Sequence, residues 1–86
     1  MSTTLKYNGK LNILGDIIKE YRLKSDLSLE KLSDKLQLLG INLPSASIYK
    51  IENNKRSIKD YELAGLSEIL GFSIDTALTD FKKKIR

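Results

Sequence analysis

Residues 43–56 read "LPSASIYKIENNKR", a stretch that joins small hydroxyl residues, one Tyr and two Ile three positions apart to a polar, basic end. On a helical wheel advancing about 100° per residue with Ile48 at zero, Ile51 and Pro44 fall within about 60° of it and mark a buried seam. The opposite arc carries Ala46, Tyr49, Lys50 and Asn53, with Ser45 and Ser47 on its flanks. A helix that is merely kept soluble mixes Glu with Lys on its outer face. This outer face carries no acid; Glu52, the one acidic residue between positions 40 and 59, lies about 40° from Ile48.

Small, hydroxyl, aromatic and cationic groups suit the DNA major groove, which admits one helix and offers acceptors and thymine methyls to Lys, Ser, Tyr and Ala. The helix N-terminal amides, the Ser hydroxyls and the following Asn53, Asn54, Lys55 and Arg56 suit phosphates. The wheel by itself leaves a second reading open, a surface helix with a few polar residues.

The flanking sequence continues in helical periods. Leu14, Ile17, Ile18 and Tyr21 follow the spacing of an amphipathic helix, which the pattern starts at Asn12 as N-cap and ends near Lys24. Ser28 is placed to cap a second helix with the stripe Leu29, Leu32, Leu36 and Leu39, stopped by Gly40. "GINLP" is then a turn, and Pro44 is expected as the first residue of a third helix that ends at Glu52 or Asn53, where two Asn tolerate left-handed backbone. A fourth helix is expected over 60–70, with Asp60 and Glu62 at its positive end and Leu63, Leu66 and Leu70 inward. Gly71 ends it, and Ser73 caps a fifth with Ile74, Ala77, Leu78 and Phe81 on one side. No strand is needed, so the expected fold class is all-α with five helices. The expected organisation is a flexible N-terminal arm over 1–11, a helical domain over 12–81 and a fraying basic tail over 82–86.

Composition narrows the function classes. An 86-residue chain with 41% hydrophobic and 30% charged residues is an ordinary single folded domain. It holds no Cys and no His, which removes disulfides, thiolates, the commonest general base and the commonest metal ligand. Asp16 with Glu20 and Glu30 with Asp34 are read as exposed helix charges. We therefore expect no enzyme, no catalytic residue, no cofactor, no metal and no small-molecule substrate. The first ten residues lack the apolar core of a signal peptide, and no apolar run approaches the roughly 18 residues of a membrane span. The expected location is cytoplasmic, without a membrane partner.

The net charge of +4 is unevenly placed. Residues 1–81 are balanced, and the excess comes from Lys82, Lys83, Lys84 and Arg86. Residues 40–59 hold Lys50, Lys55, Arg56 and Lys59 against Glu52, whereas 60–81 hold Asp60, Glu62, Glu68, Asp75 and Asp80 with no base. One face should attract anions and another repel them. Lys6, Tyr7, Asn8 and Lys10 of the arm are read as a solvated terminus in preference to a groove-reaching one.

Four segments in order, "LGDIIKEYR", "LSLEKLSDKL", "SIYKIENNKR" and "YELAGLSEILGFSIDTAL", resemble the phage repressor and Cro-type helix-turn-helix proteins, the XRE family, from about Leu14 to Leu78. The resemblance implies a lambda-repressor-like domain in which helices 2 and 3 form the helix-turn-helix. It implies that Ser45, Ala46, Ser47, Tyr49 and Lys50 approach base edges and adjacent phosphates, and that Asn53, Lys55 and Arg56 touch the backbone. It implies an ion pair between Arg22 and Glu52. Leu29 departs from the family, standing where a phosphate-contacting Gln is common. Pro44 replaces the usual Ser or Thr cap, and Lys59 sits where a cap is expected before helix 4. "QLLGI" is an insertion relative to compact members, expected to lengthen helix 2 by about a turn.

The implied function is a sequence-specific transcriptional regulator, a repressor acting by operator occupancy, since a chain this short leaves no room for a ligand-sensing domain. The implied partners are double-stranded DNA with a two-fold-related operator and a second copy of the chain, with Ile74, Leu78 and Phe81 as the candidate homodimer surface. The alternative is a protein-interaction module, an antitoxin-like component or partner of another regulator, using the same face.

Overall fold

The apolar periods do form helices. In the computed structural model, which describes residues 7–85, α1 spans Gly15–Lys24, α2 Leu29–Leu38, α3 Ser45–Glu52, α4 Asp60–Leu70 and α5 Ile74–Lys84. The chain is all-α among the described residues. Both α3 and α4 lie against α1 and α2. Ile18, Leu32, Leu36, Ile48, Ile51 and Leu66 are completely withdrawn from solvent, each contributing about 1.5–3 kcal/mol by burial. Leu14, Leu43, Leu70, Phe72 and Ala77 complete the core, and α5 joins it through Ala77 with Ile74 and Leu78 packed alongside.

Several helix ends obey local rules. Ser28 Oγ accepts from Lys31 N–H at 3.1 Å, and Ser73 Oγ accepts from Thr76 N–H at 3.1 Å. Others depart from expectation. Asn12 does not cap α1, which begins at Gly15; its Oδ1 accepts from Leu14 N–H at 2.8 Å, and the rest of its amide reaches elsewhere in the fold. Pro44 stands outside α3, with extended ψ of 155°, and its carbonyl accepts from Ser47 and Ile48 N–H.

The long connection between α2 and α3 is mostly turn. Only Gln37 and Leu38 of "QLLGI" are helical, about half a turn. Leu39, expected on the buried stripe, is 52% exposed and Leu38 87% exposed. Ile41 anchors the loop instead: its N–H donates to Leu36 O, and its side chain fills the space beside Gly65 on α4, where any Cβ would collide with it. Ser33 Oγ closes the connection by donating to Leu43 O at 2.8 Å.

Both ends of the domain also differ from expectation. The N-terminal arm predicted over 1–11 is folded from Tyr7 onward, while Lys6 lies outside the described residues. Tyr7 and Lys10 exchange backbone hydrogen bonds across Asn8 and Gly9, whose φ values are 50° and 78°, the positive pair of a tight hairpin turn. Leu11 N–H donates to Asn54 O at 2.9 Å, and the Tyr7 ring meets Phe81 edge-on at 4.9 Å. Lys82, Lys83 and Lys84 continue α5. Phe81 thus meets Tyr7, and Ile74 and Leu78 pack against the core, so the apolar residues nominated for a dimer surface are half-buried within the domain itself.

Candidate nucleic-acid interface

With Ile48 and Ile51 buried, the helical period turns Ala46, Tyr49, Lys50 and Asn53 into solvent, and Tyr49 is 57% exposed. Ser45 and Ser47 are half-buried on the flanks. Glu52 faces inward, 4% exposed. Arg22 binds it from α1 with a fork, Nε to Oε2 at 2.7 Å and Nη2 to Oε1 at 3.0 Å, while Nη1 donates to Leu27 O. The hydrogen bond to Glu52 raises the already high pKa of Arg22 against the opposing effect of burial. The expected ion pair is therefore in place, and it removes the segment's one acid from the outer face.

A second fork was not foreseen. Arg56 donates to Glu62 of α4 through Nη1 at 2.8 Å and Nη2 at 3.1 Å, and Nη1 also reaches Ser57 O. The Glu62 side chain is 2% exposed. Its Oε1 also accepts from Lys59 N–H at 3.0 Å, the reach-back half of a capping box; Lys59 itself offers no acceptor. Burial is the largest influence on Glu62 and works against its charge, but Arg56, the Lys59 amide and the neighbouring positive charges together hold its pKa below the usual glutamate value. Its contribution to stability is thus present above the ordinary value of about 4.3 and is lost as pH falls through the depressed one. A Glu three residues after the helix cap was the local signal for this role.

The exit of α3 is also bound to the start of α1. Asn12 Nδ2 donates to Ile51 O at 2.9 Å and to Arg56 O at 2.8 Å. Asn54, at φ 60°, returns its own amide to Asn12 O at 3.1 Å and Oδ1 at 3.2 Å. Gly15 makes the approach feasible, since a Cβ there would sit 2.5 Å from Ile51 O and 2.8 Å from Glu52 O.

The nominated residues therefore separate. Ala46, Tyr49, Lys50, Asn53 and Lys55 are exposed around one helix face and its exit, with Ser45 and Ser47 beside them. Asn54, expected on phosphates, has its amide bonded to Asn12. Arg56, expected there too, commits Nη1 and Nη2 to Glu62 and Ser57 O with its side chain still 27% exposed, and the exposed Asn53 donates its amide to Tyr49 O within α3. The α3 N-terminus differs too: no side chain caps it, and Pro44 and Ser45 share a shallow depression with Glu30 and Asp34 of α2. Carboxylates there oppose the phosphate contact that helix amides alone would favour. Among the described residues no His, Cys, Asp and Glu cluster could hold a metal ion, and no helix is long and apolar enough to cross a membrane.

In comparison with known proteins, the model of the helix-turn-helix family matches residues 18–76, from the buried centre of α1 into the first turn of α5. No curated protein and no solved structure matches the chain.

Proposed function

The chain belongs to the helix-turn-helix family of phage repressor and Cro type, whose members are DNA-binding transcription regulators, and we propose that it is a sequence-specific repressor acting by operator occupancy. In this reading α3 enters the major groove. Ser45, Ala46, Ser47, Tyr49 and Lys50 meet base edges and nearby phosphates, and Asn53 and Lys55 meet the backbone. The observation that carries it is the acid-free outer face of α3, which follows from burial of Glu52 against Arg22. Arg56 serves this face indirectly, by fixing the exit loop to α4. One recognition helix reads few bases, so specificity favours two copies on a two-fold-related operator. With neither His nor Cys in the chain, the protein acts by binding, without catalysis.

Selection from a random duplex pool tests the proposal. An enriched palindrome or half-site is expected. Lys50→Ala should shift the preferred bases, whereas Lys55→Ala should weaken all sites alike and reduce the salt slope by about 1. A pool with no enriched site refutes the reading and leaves the protein-interaction alternative.

A further inference from the structure

We propose that Asn12, which lies outside α3 and faces no groove, is a positioning residue for DNA binding. The inference rests on the reading of α3 and its exit loop given above. Its side-chain amide holds the carbonyls of Ile51 and Arg56, one on each side of the loop that carries exposed Asn53 and Lys55. A single planar group thus ties the two sides of the loop mouth to each other. Its Oδ1 is meanwhile fixed by Leu14 N–H and Asn54 Nδ2, so the amide cannot turn without breaking these two bonds. Leu11 N–H adds a bond to Asn54 O at the crown of the same loop. No other residue type of this size supplies two donors and an acceptor from one flat group: Asp lacks the donors, and Ser has only one donor and cannot span the two carbonyls.

The consequence follows from what phosphate contacts do. They set a protein's register on the duplex, so a loop that opens moves Lys55 away from its phosphate and tilts the reading face behind it. The hydrophobic core and both ion pairs make no use of Asn12. The fold therefore survives its replacement while the loop does not keep its shape.

The test uses the full chain, a duplex enriched by selection and a scrambled duplex. Asn12→Ala and Asn12→Ser are compared with Ser67→Ala, which removes a partly buried hydrogen bond to Phe72 O at the α4–α5 junction. Asn12→Ser keeps an acceptor for Leu14 N–H and guards against a failure to fold. At a temperature where circular dichroism shows every variant folded, both Asn12 variants should weaken each duplex about tenfold and lower the salt slope by about 1, with Ser67→Ala unchanged. Folded Asn12 variants with wild-type affinity and salt slope overturn the proposal, and so does an equal loss in Ser67→Ala. If the wild-type chain binds no duplex, the DNA reading falls and this inference with it; wild-type binding with unaffected variants removes the inference alone.

Discussion

The two ends of α3 are held in opposite ways. Its C-terminal end is fastened from three sides, by Arg22 on Glu52, by the Asn12 and Asn54 amides, and by Arg56 on Glu62 across the exit loop. Its N-terminal end has no side-chain cap and follows a turn that starts with Leu39 in water, next to exposed Leu38 at the end of α2. Charge divides the same way, with Glu30 and Asp34 beside the N-terminus and Lys50 and Lys55 towards the exit. Polar side chains thus fix the end where the cations are, whereas the other is held by the packing of Ile41 and Leu43 and by the Ser33 bond to Leu43 O.

Three substitutions can break or sharpen this contrast. Glu52→Ala leaves the largely buried Arg22 without its carboxylate, with Leu27 O as its remaining partner, and should lower the unfolding free energy by about 3–5 kcal/mol, read from urea melts with an unchanged m-value. Gly15→Ala presses a methyl into the carbonyls of Ile51 and Glu52 and should cost about 1–3 kcal/mol by overpacking. At the other end, Pro44→Ser adds a capping oxygen worth about 0.5–2 kcal/mol and gives up about 0.4–1 kcal/mol of chain restriction. A net change within about 1 kcal/mol is expected there, seen as a small shift in thermal midpoint. Should Pro44→Ser destabilise more than Gly15→Ala, the contrast is inverted and the N-terminal end is the anchored one.

The same division governs what was legible beforehand. The helices were, because apolar period and caps act between residues three or four apart: Ser28 and Ser73 cap as expected, and α4 begins at Asp60 and ends at Leu70. The family resemblance supplied the Arg22–Glu52 pair, whose two members otherwise give no sign of each other. The acid-free face of α3 was readable from the wheel, since it needs only one helix and one buried seam. Asn12 was misread as a cap because its type fits one, and nothing near Arg56 in the sequence showed that it pairs with Glu62. Tyr7 and Lys10 were assigned to an unstructured arm because Asn8 and Gly9 signal a turn but do not say where it docks.

The sequence by itself thus determined five helices, most of their buried positions and an acid-free outer face on α3, since each depends on residues within a turn or two of one another. Only the tertiary structure decided which polar groups remain free to meet DNA. The Asn12 bonds to Ile51 and Arg56 cross 39 and 44 residues of chain, and no local periodicity carries information over that distance. A buried carbonyl takes the donor that packing brings to it, and here packing brought the amide of a residue that lies before the first helix.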